Sequence, residues 1–358
     1  MRTEPHLAAQ APAKLLLTGE HAVLQGVPAL SMAIDLPTRV ELSLQSSLPD
    51  GLLLSLKDYQ KEAMFPFPLW ETKALEIEAR YQQFLNNTLD IHAVLKAPED
   101  LIFTTFLHFH QRHPLKKGLW HLEIHSESWR GRGLGSSASV VVATLSALNE
   151  AHRHPLSLVD IAQMAQAIES RQHGFASGVD TTTVLQGGLL KYQRTNQEAI
   201  PHFTPLPLHA FHGFLIDTGH PQSTTGECVT RVQQQFPANH PIWQKFAEVS
   251  CQIEHAWRQQ NQRQLKQGIR QNHRLLSEIG IVPKPVQDFI EMLEEIGGAA
   301  KVCGAGSIKG TSAGVVLAIG LDQAELSEYC NTQGYRCRPI KISTHGVEVI
   351  KPLQEVKR

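Results

Sequence analysis

The most constraining stretch of the chain is residues 129–142, WRGRGLGSSASVVV, where three glycines and two serines run directly into small apolar residues. Gly131, Gly133 and Gly135 let the backbone turn its N–H groups toward one point with no Cβ in the way, and residues 136–142 read as the first turns of a helix. A helix start carries unpaired N–H donors and the positive end of the dipole, so the stretch reads as a polyphosphate cradle. Its candidate phosphate-binding residues are Arg132, Gly133, Leu134, Gly135, Ser136, Ser137, Ala138 and Ser139. The order is neither the GxxxxGK[ST] of a P-loop nor GxGxxG with a distant acid, and plain strand-to-helix punctuation is the competing reading.

Length and charge narrow the setting. The 358 residues suffice for two domains with their own cores, and 42% hydrophobic with 19% charged residues excludes disorder and coiled coil. Lys plus Arg at 33 against Asp plus Glu at 34 makes no electrostatic case for a nucleic acid or an acidic membrane. Apolar runs such as residues 15–17 and 314–319 are far below the ~20 residues of a membrane span. The first residues include Glu4 and no apolar h-region, so a cytoplasmic protein without a membrane partner is expected. Five cysteines without a CxxC pair argue for small buried or half-buried thiols, not disulfides or a zinc knuckle. His108, His110 and His113 stand without nearby acids or cysteines, which favours a half-exposed face over a metal site.

Residues 11–17 (APAKLLL) fit a strand ending in a turn at Gly19. Its lone Lys14 either snorkels to solvent or, beside a phosphate cradle, faces a γ-phosphate. Residues 38–43 and 119–125 alternate as strands, whereas 71–84 and 101–109 look helical and the intervening YQKEAMFPFPLW reads as a loop. Pro155 opens a helix striped by Leu158, Ile161, Ala165 and Ile168. Glu169, near its end, is poorly placed for the dipole, being either kept for chemistry or on a solvated face with Arg171. In HGFASGVD, Asp180 is either a rigidly held acid aimed at a ligand or a simple turn or cap residue before a threonine-rich strand. Prolines at 201, 205 and 207 mark a boundary, giving an N-terminal domain over 1–200 and a C-terminal one over 201–358. In the latter, strands at 211–216, 335–342 and 346–350 and a glycine-rich strand–loop–strand at 299–320 form a sheet with helices on one face.

Taken together, APAKLLLTGEHAVLQGVPAL, GRGLGSSAS and KVCGAGSIKGTSAG resemble the three motifs of the GHMP kinase superfamily, and TGEHAVLQGVPAL, HGFASGVD and NHRLLSEIGI are most similar to its mevalonate kinases. The resemblance implies an α+β fold of two domains, the N-terminal one like domain 2 of ribosomal protein S5 and the C-terminal one ferredoxin-like. It implies ATP as co-substrate, Mg²⁺ as cofactor, and phosphorylation of the primary hydroxyl of mevalonate in isoprenoid precursor synthesis. A homodimer is a further expectation. By position, Asp180 resembles the catalytic base and Lys14 its partner, while Ser137 and Glu169 resemble the Mg²⁺ ligands. His21, Arg194 and Thr224 are the candidates for the acceptor, with His21 or Arg194 as the cation for its carboxylate. Gly304, Ala305, Gly306 and Lys309 form the supporting loop, but Ile308 stands where the family has glycine and Lys309 adds a charge. Lys309 leaves two roles open, an ATP contact or recognition of a phosphorylated acceptor, so phosphomevalonate kinase stays an alternative. A non-catalytic nucleotide-binding regulator is the rival from another class.

Overall fold

Leu7–Thr18 (β1) is buried everywhere except at Gln10, and layers are built on both of its faces. The structure, a computed structural model, describes residues 6–153, 156–194 and 201–350. β1 pairs antiparallel with the long strand Ala29–Gln45 (β2). Gly51–Leu56 (β3) and Lys61–Pro66 (β4) precede helices Phe67–Leu85 (α1) and Asp100–Arg112 (α2), and Leu119–Ser126 (β5) follows them. The sheet runs β1-β2-β5-β3-β4, with only β3 and β5 parallel. The first part of β2 pairs instead with Leu189–Gln193 (β6), which pairs with His202–Leu206 (β7). The segment expected as a loop contains β4, whose residues alternate between half-buried and exposed as an edge strand does.

The glycine stretch leads into Ser136–His152 (α3), followed by Leu158–His173 (α4) and Val179–Gln186 (α5). Helices α1 to α5 cover one face of the sheet, where Val40, Trp70, Phe103, Phe106, Val141 and Ile168 share a core. Pro155 lies outside the described residues; α4 begins after Ser157, whose capping box with Asp160 satisfies its first N–H groups. The threonine-rich segment after Asp180 is helix α5, not the expected strand. Gly178, left-handed at φ 89°, turns the chain into it, and Thr183 donates back to Val179 O at 2.7 Å.

On the other face, Gly213–Asp217 (β8) is followed by helices Thr225–Gln235 (α6), Ile242–Arg258 (α7), Gln262–Glu278 (α8) and Lys284–Glu295 (α9), then Ala299–Val302 (β9), Val315–Ile319 (β10), Gln323–Thr332 (α10) and Arg336–Pro339 (β11). The second sheet is antiparallel in the order β11-β8-β10-β9. Leu15, Met32, Phe246, Ile269, Val302 and Leu317 belong to one core that joins β1 and β2 to this layer. The last strand, Glu348–Ile350 (β12), does not extend the second sheet as its sequence position suggests; it returns to the first and pairs with residues 8–10 of β1. Residues 195–200, where the expected domain boundary falls, lie outside the described residues. No described helix is long and apolar enough to cross a membrane.

Candidate active site

Both glycine-rich loops fold against each other. A Cβ on Gly133 would lie 2.7 Å from Cys303 O, and one on Gly304 would lie 2.9 Å from Gly133 Cα. Only glycine permits backbones this close. Gly135, left-handed at φ 69°, starts α3 with no side-chain cap, and Ser139 N–H is the first to reach a carbonyl, Gly135 O at 3.1 Å. The helix start therefore offers its dipole and its orphan N–H groups to whatever fills the space in front of it.

That space is a cavity of about 590 Å³ lined by all three motifs. On its floor, Lys14 Nζ lies 3.1 Å from Asp180 Oδ1, the lysine nearly buried and the aspartate about one-third exposed. β1 supplies the lysine, and Asp180 enters from the first turn of α5, where the dipole favours an anion. A second pair stands beside it, with Ser137 Oγ donating to Glu169 Oε2 at 3.0 Å. Glu169 is buried and its Oε1 has no partner, so it is not on a solvated face; Arg171 turns away to Glu78. Burial pushes the Glu169 carboxyl up to about 8 and the charge of Asp180 adds to this, against the Ser137 hydrogen bond and the charge of Lys14. A cation in front of Glu169 would relieve both. One hydroxyl and one or two carboxylates suit Mg²⁺, which takes few protein ligands and completes its shell with phosphate oxygens and water.

The remaining expected residues divide. Gly133, Leu134, Gly135, Ser136 and Ser137 line the cavity, whereas Ala138 and Ser139 lie beneath it, Ser139 donating to Pro12 O at 2.7 Å. Arg132 also reaches the wall, but its Nε is bound to Asp217 Oδ1 at 2.7 Å. His21 lines the cavity yet cannot be the expected cation: burial lowers its pKa to about 4, against the hydrogen bond that its Nε2 donates to Ala305 O at 3.0 Å, so the imidazole is neutral. Arg194 is not on the wall; it donates to the carbonyls of Ala176 and Ser177, at 3.1 and 3.4 Å, and braces the loop before Asp180. Thr224 caps α6 and hydrogen-bonds His92 Nε2 at 2.7 Å across the cavity. Gly304, Ala305 and Gly306 face the space, but Lys309 stands outside it, exposed and 3.3 Å from Glu227. Ile308 avoids positive φ, which falls on Gly306 and Gly310 instead, and packs against the core.

Several wall residues carry no motif. Leu56, Asp58, Tyr59, Ile91, Leu95 and Leu101 come from the stretch that runs from the end of β3 into the first turn of α2. They stand in no sequence motif. Glu20, inside TGEHAV, is a further wall residue that the motif does not mark: it lines the cavity, pairs with the fully buried Lys301, and keeps Oε2 unpartnered. The HxHxxH histidines lie on or at the end of α2 with separate contacts, His108 to Glu78 and His110 to Leu115 N–H. All five cysteines are free; Cys251 is exposed and the others are buried or half-buried.

Residues 100–188, which include the glycine stretch and Asp180, match the model described as GHMP kinases N terminal domain. The mevalonate kinase of Thermococcus sibiricus is 26% identical over 95% of this chain and 97% of its own. Residues 100–188 are thus similar to the N-terminal domain of GHMP kinases, which are small-molecule kinases that use ATP. The structure of the Methanococcus jannaschii mevalonate kinase is similar, with a TM-score of 0.73 at 22% identity, over 94% of this chain and 98% of that one. A Lactococcus lactis galactokinase complexed with galactose has the same TM-score, 0.73, at 15% identity over 96% and 95%. At these identities the likeness is one of fold, and the fold alone does not choose the acceptor.

Proposed function

We propose that this chain is a GHMP kinase that transfers the γ-phosphoryl group of ATP to the primary hydroxyl of mevalonate, with Asp180 as the general base. The observation that carries this reading is the Lys14–Asp180 pair, 3.1 Å apart on the floor of a cavity that opens onto a helix start. The backbone N–H groups of residues 133–137 hold the polyphosphate. Asp180 takes the proton of the hydroxyl, whose oxygen forms the new bond to phosphorus as the bond to the ADP oxygen breaks. Lys14, 3.1 Å from Asp180, orients the base and neutralises the transferring group. Ser137 and Glu169 would hold Mg²⁺, which supplies charge neutralisation on the phosphates when bound. The apolar wall from Leu56 to Leu101, with Tyr59, is the side left for adenine.

On the acceptor side, Glu20, His21 and Thr224 line the cavity. The similarity to mevalonate kinases over nearly the whole chain supports a mevalonate acceptor. Of the arginines and lysines on the wall, Lys14 and Arg132 are paired with Asp180 and Asp217, whereas Arg130 donates to the Asp58 carbonyl and lies over the Tyr59 ring with no carboxylate partner among the described residues. Lys309, held by Glu227 outside the cavity, lends no support to a phosphorylated acceptor. Asp180→Asn tests catalysis against a regulator that only binds nucleotide. Turnover should fall by about 10²- to 10⁴-fold with ATP affinity kept. Unchanged turnover would remove Asp180 from the chemistry.

A further inference from the structure

Asp217 belongs to none of the three motifs. It ends β8, is 5% exposed, and divides its carboxylate between two arginines. Oδ1 accepts from Arg132 Nε at 2.7 Å and from Gly219 N–H at 3.0 Å, and Oδ2 accepts from Arg336 Nη2 at 2.6 Å. Arg336 in turn lies 5.5 Å over the Trp129 ring, so both ends of the segment WRGR converge on one carboxylate.

The backbone is held from the same direction. Asp217 faces Val315 across the β8–β10 register, and Val315 N–H donates to Arg132 O at 3.1 Å. A Cβ on Gly314 would stand 2.8 Å from that oxygen, so the approach needs glycine there. Residue 132 is thus gripped by its side chain and by its carbonyl from two neighbouring strands. Because a trans peptide is planar, a carbonyl turned toward β10 sends the next N–H, that of Gly133, the opposite way.

We propose that Asp217 is a positioning residue for the phosphate loop, acting through Arg132 to fix the peptide whose N–H belongs to Gly133. The Arg132 guanidinium is then committed to Asp217 and is not itself a phosphate ligand. This rests on the reading of residues 133–137 as the phosphate site.

The test is nucleotide binding, which needs no knowledge of the acceptor. Affinities for ADP with Mg²⁺ and for adenosine would be measured by calorimetry on the full chain and on Asp217→Asn, Arg132→Ala and the double variant, with melting temperatures alongside. Each single variant should weaken ADP by roughly 10-fold, about 1.4 kcal/mol, the double variant no more than the worse single, and adenosine should be unmoved. If Asp217→Asn does not fold, Asp217→Glu, which displaces the carboxylate but keeps its charge, should weaken ADP by about threefold. A lowered melting temperature with ADP affinity intact would overturn the proposal in favour of a merely structural pair. Loss on Arg132→Ala with Asp217→Asn unchanged would overturn it by making Arg132 a direct ligand. Adenosine binding without any ADP preference in the unmutated chain would overturn the phosphate-site reading and this proposal with it.

Discussion

Lys14 and Asp180 meet because the residue between them has no side chain. A Cβ on Gly135 would lie 2.6 Å from Lys14 Cγ and 3.4 Å from Asp180 Oδ2, at a φ of +69° that L-residues rarely adopt. Gly135→Ala should therefore push the lysine off the aspartate. We expect a loss of turnover of about 10²-fold or more, with melting lowered by the strain of a left-handed alanine, about 1 kcal/mol. An alanine variant with full turnover would mean that the Lys14–Asp180 contact is dispensable. At this scale the sequence was informative where function is written into backbone: the glycines, Ser137, Glu169 and Asp180 stand in local patterns, and the structure gathers them in one cavity. It was uninformative about charge state and direction. That His21 is neutral depends on burial by segments nearly 300 residues away, such as Ala305, and that Arg194 and Lys309 face away from the cavity depends on their partners.

Among the elements, α4 carries Glu169 and is fastened near its C-terminus by a bond to α1. Arg171 donates through Nε and Nη2 to the two oxygens of Glu78, at 3.0 and 2.6 Å, and lies 4.4 Å over the Tyr81 ring. Burial pushes the Glu78 carboxyl up, but the hydrogen bonds from His108 and Arg171 and their charges outweigh it and bring the pKa from 4.5 to about 2. Above 4.5 Glu78 is charged folded or unfolded and its bonds stabilise the fold in full; as the pH falls from 4.5 toward 2 the unfolded chain takes up the proton first and that stability is lost. Glu78→Gln should cost about 1–2 kcal/mol at pH 7, with the gap to the unmutated chain narrowing as the pH falls from 4.5 and closing near 2. Urea midpoints across that range measure it, and a gap independent of pH would contradict the assignment. Helices with clear apolar stripes, such as α4 and α9, were legible from periodicity. Helix α5 was not, because threonines that prefer strands are held helical by a left-handed Gly178 and by bonds back to the preceding carbonyls. Strand β4 was hidden by prolines and by having one solvent face.

For the whole molecule, the decisive contacts lie between the two layers. Lys301 on β9 is fully buried against Glu20 and also donates to Leu16 O at 3.1 Å, tying the second sheet to the end of β1 under the cavity. Lys301→Met leaves Glu20 buried without its partner and should cost about 3–5 kcal/mol, while Glu20→Gln with Lys301→Met should recover part of that, as unfolding in urea would show. No recovery would mean that the lysine acts through the Leu16 carbonyl alone. We propose that the two sheets correspond to the two expected domains, with β12 as a return strand that clamps the second to the first. That return was not legible, since a three-residue strand carries no mark of its partner. The acceptor is the least legible part, because its wall is assembled from segments without motifs. The most direct test is therefore ADP release by the purified chain with ATP and Mg²⁺, offered mevalonate, 5-phosphomevalonate and galactose in turn. Turnover is expected with mevalonate. Turnover confined to either of the other two would contradict that expectation.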